Sequence, residues 1–292
     1  MKKQAKGILY GVIASSSYGT NPLFALPLYH AGIDVASILF YRYAFAVLIY
    51  GIWLTIVKKA SLKLKKNEIV PLTVLGISFS LSSLALFESF KYIDAGIACT
   101  ILFIYPVIVA LIMTIFFKEK ITKTVISSIV LISIGIILLC RNNGGMSLNI
   151  NGVLIVLFSA LLYAIYMVKV KTLKAIKNMK NEKMSFYVMF FGLFVYIINL
   201  KFCTQLQIPN KPHLWLFALG LAMLPTIISI ETINIAIKLI GSTKTAILGA
   251  LEPLTAVFFG VVVFHESLTL RIAVGILFVL FGVVQIAIKK NA

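Results

Sequence analysis

Charge is scarce in this chain of 292 residues, and negative charge is scarcest: 12% of the residues are charged, with nine acidic side chains against 27 basic ones. Soluble domains carry roughly one-quarter charged residues, so an ordinary soluble fold is excluded. Cysteine and histidine each occur three times. Cys99, Cys140 and Cys203 are scattered within or at the ends of apolar runs, in neither a metal spacing nor a disulfide framework. His30, His213 and His265 stand far apart at the edges of such runs. Nucleophile elbows and phosphate-binding glycine loops are missing too, so the expectation is no metal, no cofactor and no enzymatic activity.

What is present is apolar length. Hydrophobic residues make up 61% of the chain and the mean hydropathy is +1.04. A helix rising about 1.5 Å per residue needs roughly 20 apolar residues to cross about 30 Å of hydrocarbon. Ten runs approach that length: 7–28, 35–57, 69–90, 95–117, 122–140, 152–170, 185–203, 214–237, 243–264 and 270–288. Outer-membrane strands would be about half as long and alternating. The expected class is therefore an all-α membrane protein with ten transmembrane helices. The opening "MKKQAKG" reads as the start of the first helix rather than as a cleaved leader, because the apolar run after it is too long and its small residues are central.

The formal net charge of +18 acquires a different meaning once the runs are in place. With the N-terminus on the cytoplasmic side, 21 of the 27 basic residues fall in cytoplasmic segments or at the cytoplasmic ends of runs, and Arg42 alone falls deep within a run. Such asymmetry encodes orientation in the membrane. Nucleic acid is not expected as a partner; a lipid bilayer and a small-molecule solute are. The expected location is the cell (inner) membrane, multi-pass, with both termini cytoplasmic, as a monomer or weak dimer.

A shift of 147 residues lays the chain on itself without a gap, placing "FKYIDAGIACTILFIYPVIVALIMTIFFKEKIT" (Phe90 to Thr122) on "IKLIGSTKTAILGALEPLTAVFFGVVVFHESLT" (Ile237 to Thr269). Pro106 meets Pro253, Glu119 meets Glu266, and beyond the segment Gly135 meets Gly282. Two halves, residues 1–145 and 146–292, follow, each with five helices. An odd number of crossings puts the second half into the membrane upside down, giving a 5+5 inverted-topology repeat. That architecture belongs to secondary transporters, whose solute binds near the midplane between the halves.

The same segments, with "LFYRYAFAVLI" in the second run, resemble the EamA-like branch of the drug/metabolite transporter superfamily over essentially the whole chain. The resemblance implies a ten-helix inverted bundle that moves small metabolites, often amino acids or related compounds, usually outward. It also implies correspondences for the helix-four proline (Pro106, Pro253), the glutamate after that helix (Glu119, Glu266) and the second-helix arginine (Arg42). The seventh run, "SFYVMFFGLFVYIINLKF", has no arginine, so the last of these is not repeated in the second half.

Candidate residues come from polar groups inside the runs. "ASSSYGTNPLFALPL" (Ala14 to Leu28) places Tyr18, Asn21 and Pro22 in the first run. Proline removes a backbone donor and frees a carbonyl that lipid cannot satisfy, so this helix should border a cavity or protein. Tyr18 and Asn21 are the expected solute contacts there, with Tyr163 and Tyr166 as their counterparts in the second half. Tyr41 and Tyr43 read as interface anchors of the second run. Arg42, Glu88, Glu231 and Glu252 are intramembrane charges. At midplane each would cost on the order of 2.5–3.5 kcal/mol facing lipid, so each should face inward or find a partner. Depth pairs Arg42 with Glu88, while the competing readings are an interhelical lock for Arg42 without solute contact, and for Glu88 a bridge to Lys91 or an extension towards the outer surface. Glu252 and Glu231 are also proton-coupling candidates, as intramembrane carboxylates commonly serve proton relays. Pro22, Pro106 and Pro253 are candidate helix breaks for gating. Substrate binding is thus expected at Tyr18, Asn21, Arg42, Glu88, Tyr163, Tyr166, Glu231 and Glu252. The alternatives to metabolite export by alternating access, with or without proton antiport, are multidrug or cationic-amine efflux, a facilitative uptake permease and, more remotely, a structural membrane protein.

Overall fold

The computed structural model describes residues 3–93, 98, 101–139, 149–263 and 269–288. All regular structure among them is helical. In chain order the helices are α1 (Lys3–Tyr18), α2 (Asn21–His30), α3 (Val35–Ile52), α4 (Lys66–Ser89), α5 (Tyr105–Phe117), α6 (Lys123–Leu139), α7 (Ile150–Thr172), the short α8 (Lys174–Lys177), α9 (Asn181–Asn199), α10 (Pro212–Ala222), α11 (Ser229–Ile240), α12 (Ser242–Leu248), α13 (Leu251–Val262) and α14 (Leu270–Ile288). Wider π turns extend α3 through Trp53–Val57 and join α10 to α11 through Met223–Ile228.

Four stretches are each long and apolar enough to cross a membrane: Val35–Val57, Lys66–Ser89, Ile150–Thr172 and Pro212–Ile240. Other apolar helices are shorter, among them Tyr105–Phe117. The difference from ten uniform spans has a local cause. The first run divides at Gly19 and Thr20, and the ninth divides at Gly249 and Ala250. Residues 103 and 104 form a turn before α5.

Each break lies next to a proline. Pro253 has no N–H to give the carbonyl of Gly249, and the N–H of Glu252 serves that carbonyl instead at 2.9 Å, in a tighter turn. Pro225 likewise has no N–H for the carbonyl of Leu221. There the Thr226 hydroxyl donates to Leu221 O at 2.7 Å, and the helix widens into its π turn.

Packing pairs the elements in a repeating way. The α1 helix packs on α11 and α7 packs on α4; α3 packs on α9, and α6 on α14. Glycines permit the closest approaches. A Cβ at Gly135 would lie 2.7 Å from Val279 Cγ2, and one at Gly282 would lie 2.6 Å from Ile132 Cγ1, so the repeated glycines seat α6 and α14 on each other. Gly7 and Gly11 do the same for α1 against Ile240 and Leu248. Gly192 lets α9 close on α4 beside Ser80 and Tyr43.

Candidate functional site

A cavity of about 870 Å³ opens between the broken helices. Its walls include Tyr18, Asn21, Pro22 and Tyr29 from α1 and α2, Phe87 and Glu88 from α4, Tyr105 from α5, and Glu252 and Pro253 from α13. Asp34, Lys91 and Asn199 also line it, which places its mouth at the bundle end holding the α2–α3 turn and the C-termini of α4 and α9.

Two glycines shape the inner end. A Cβ at Gly19 would lie 2.5 Å from the carbonyl oxygen of Glu252 and 2.6 Å from Thr255 Cβ, so the break in the first run nests against the start of α13. A Cβ at Gly249 would fall 1.6 Å from the hydroxyl oxygen of Tyr105. The absence of a side chain there lets that hydroxyl pass and donate to Ala246 O at 3.1 Å. Behind this floor lies an aromatic layer. The Tyr105 ring is 4.7 Å from that of Tyr163, edge to face, and Phe79 lies 5.9 Å from Tyr163 and 4.9 Å from Tyr166. The Tyr18 ring meets Phe79 at 6.5 Å. Tyr166, Asn234 and Ser185 are not part of the cavity wall: Tyr166 donates to Asn234 Oδ1 at 2.7 Å, and Asn234 Nδ2 donates to Ser185 Oγ at 3.1 Å.

Arg42 is placed differently from expectation. It is fully buried and is not part of the cavity wall. Nε donates to Thr226 Oγ1 at 2.5 Å, Nη1 to Asn21 Oδ1 at 3.1 Å and Nη2 to Pro225 O at 2.8 Å. The ring faces of Tyr18 and Tyr43 lie 5.5 and 5.9 Å from the guanidinium carbon. The fork thus ties α3 to α2 and to the π turn, where the widened backbone presents the Pro225 carbonyl. No ion pair with Glu88 forms. Glu88 pairs with Lys91, three residues on along the chain, at the cavity mouth.

Of the sequence candidates, Tyr18, Asn21, Pro22, Glu88, Glu252 and Pro253 meet at one cavity. Tyr163 and Tyr166 stand behind its floor, and Pro106 is buried at the first turn of α5. Glu231 is elsewhere, accepting a hydrogen bond from Tyr50 at 3.0 Å. Tyr41 and Tyr43 are packed inside the protein rather than at an interface, with their rings 5.1 Å from Trp215 and 4.9 Å from Tyr196. Ser242, the first residue of α12, has a buried hydroxyl with no hydrogen-bond partner among the described residues. Glu266, Cys99 and Cys140 lie outside the described residues. Sequence reasoning passed over Tyr105, Asn234 and Ser185. The internal alignment held a signal for the first, since Tyr105 falls on Glu252.

The family model of the EamA-like transporter family matches residues 5–141 and again residues 150–288. The chain belongs to the EamA-like transporter family. A two-repeat, multi-pass membrane architecture goes with that membership and with the apolar spans. Among curated proteins, an EamA-family chain of this kind is similar to "Uncharacterized transporter YxxF" of Bacillus subtilis (strain 168), 26% identical over 167 residues. The match covers 56% of this chain and 53% of that relative, so it spans about half the relative's length. A protein of known crystal structure shares the fold, with a TM-score of 0.80 at 16% identity, covering 96% of this chain and 95% of that one.

Proposed function

We propose that the protein is a secondary transporter that exports small metabolites, amino acids or related amines, by alternating access through the cavity floored by Tyr105 and Glu252. Ten spans in two five-helix repeats, residues 1–145 and 146–292, enter the membrane in opposite orientations, with both termini in the cytoplasm. The observation that carries the reading is the cavity itself: about 870 Å³, open at one bundle end, and lined by a carboxylate at the break of a span. Discontinuous helices around a polar group are how transporter folds build a solute site without exposing backbone to lipid.

The lysine distribution gives the cavity a direction. Lys58, Lys59, Lys63, Lys65 and Lys66 lie between α3 and α4, at the bundle end opposite the cavity mouth. By the positive-inside rule that closed end is cytoplasmic, so the conformation is open outward. The closed end is held by side chains joining the two halves: Lys183 Nζ lies 2.6 Å from Glu68 Oε2, and Tyr187 donates to Leu62 O at 2.6 Å. Alternating access breaks these contacts and closes the opposite mouth. Glu252, and Glu231 nearer the closed end, are the proton carriers if export is coupled to proton entry.

The test is efflux. Proteoliposomes loaded with amino acids, amines and organic acids are followed by mass spectrometry with and without an imposed proton gradient. Selective loss of one solute class, faster than from protein-free vesicles, supports a carrier. Equal loss from both, under either condition, overturns it.

A further inference from the structure

We propose that Glu252 forms a subsite for a single organic ammonium group, and that the solute is recognised by its amine and not by a carboxylate. The inference rests on the carrier reading above and narrows its solute class.

The first support is the charge inventory of the cavity. Among the described residues its charged lining side chains are Asp34, Glu88, Lys91 and Glu252. Glu88 and Lys91 neutralise each other at the mouth. Asp34 is also at the mouth, where its Oδ1 accepts from the Ser37 N–H at 2.9 Å and starts α3. Glu252 is left, and among the described residues no donor or cation pairs with its carboxylate. A carboxylate on a largely apolar wall is stabilised by a counter-charge, and here a ligand can supply it.

The second support is the fate of Arg42. For a solute carboxylate, Arg42 would be the natural partner, but it lies outside the cavity wall with all three guanidinium nitrogens already donating to Thr226, Asn21 and Pro225. Asn21 reaches the wall as a neutral amide, its oxygen accepting from the same arginine, and so brings no positive charge to a solute carboxylate. The break before α13 offers little to an anion either. The N–H groups of Gly249, Ala250 and Glu252 are already bonded to Ala246, Ile247 and Gly249 carbonyls.

The third support is the wall itself. Tyr18, Tyr29, Phe87, Phe103 and Tyr105 surround the approach to Glu252. Aromatic faces attract ammonium groups and accept apolar side chains, and the buried Tyr29 hydroxyl, without a hydrogen-bond partner among the described residues, adds a neutral group but no positive charge. The site therefore suits a primary amine carrying an aryl or alkyl body.

The experiment uses three compounds that share one body: phenethylamine, phenylalanine and 3-phenylpropionate. Their binding to the purified full-length protein is measured by calorimetry. The expected order is phenethylamine at least as tight as phenylalanine, with 3-phenylpropionate weaker by tenfold or more. Glu252→Gln should weaken phenethylamine at least tenfold and leave 3-phenylpropionate unchanged, with Glu252→Asp recovering part of the loss. The order on the unaltered protein stands as a test even if Glu252→Gln fails to fold. Equal binding of amine and acid, no binding of the amine, or an unchanged amine affinity in folded Glu252→Gln overturns the proposal. Efflux of the mixed solute pool separates the two readings. Efflux without amine binding rejects the subsite and keeps the carrier, whereas no efflux rejects the carrier whatever binds.

Discussion

Tyr105 and Glu252 stand 147 residues apart, each immediately before a proline in the first turn of an interrupted helix, and both face one cavity. The internal repeat has placed an aromatic hydroxyl and a carboxylate at equivalent points. Duplication supplied the matching breaks, and divergence at one position per half supplied different chemistry.

Gly249 is the contact on which this arrangement depends. A Cβ there would sit 1.6 Å from the Tyr105 hydroxyl oxygen, so Gly249→Ala must displace the ring. Overpacking of this kind costs about 1–3 kcal/mol. We expect a lower melting temperature in detergent for Gly249→Ala, and recovery of much of the loss in Gly249→Ala with Tyr105→Phe, which removes the clashing oxygen. A Gly249→Ala variant as stable as the parent would show that the close approach is absent.

Arg42 acts through the geometry of its fork. Arg42→Lys keeps the charge but cannot reach Thr226, Asn21 and Pro225 together. Loss of hydrogen bonds from a buried charged donor predicts a destabilisation on the order of 3 kcal/mol. Glu88→Gln should change stability by less than about 1 kcal/mol, because Glu88 belongs to a partly exposed pair with Lys91. The two thermal unfolding curves check this, and comparable losses would revive an Arg42–Glu88 partnership.

Thr226 repairs the carbonyl orphaned by Pro225. Thr226→Val keeps the shape, yet it leaves Leu221 O without its hydroxyl donor and Arg42 Nε without its acceptor. Unsatisfied buried groups cost about 1–3 kcal/mol each. A double-mutant cycle with Arg42→Met should show strong coupling between the two positions, whereas additive losses would mean they act separately.

Glu68 and Lys183 form a mostly buried pair, with side chains 11% and 14% exposed. Removing either partner strands the other charge, so Lys183→Met should be more destabilising than Lys183→Met combined with Glu68→Gln. Unfolding measured in detergent gives the ordering. A single variant milder than the double would contradict the pairing.

Much of this was legible in the sequence, for physical reasons. Apolar runs and lysine asymmetry report on the bilayer directly, and the repeat was readable because a gap-free register keeps Pro106 on Pro253, Glu119 on Glu266 and Gly135 on Gly282 although most positions between them differ. Tyr18, Asn21, Pro22, Glu252 and Pro253 stood out because polar groups and prolines conflict with lipid, and they do meet at one cavity. The partners of Arg42 were hidden. Two of them, Thr226 and Pro225, lie in a π turn some 184 residues away, and hydropathy carries no trace of a carbonyl released by local widening. Depth suggested Glu88 for Arg42, but the competing reading, a bridge from Glu88 to the lysine three residues on, is the one that forms. Tyr41 and Tyr43 misled because tyrosine near a span end fits an interface as well as it fits a packed core. Tyr105 was overlooked as one more aromatic in an apolar run, although its alignment with Glu252 marked it.

The central claim is that solute passes through the cavity of Tyr105 and Glu252, and plugging it is the most direct test. Val257 lines the cavity on α13, and Val257→Trp would fill the space while leaving both floor residues in place. Efflux of the mixed pool is measured for the parent and for folded Val257→Trp in matched proteoliposomes. The account predicts release from the parent and release no faster than from protein-free vesicles with the plug. Undiminished release through Val257→Trp would contradict it.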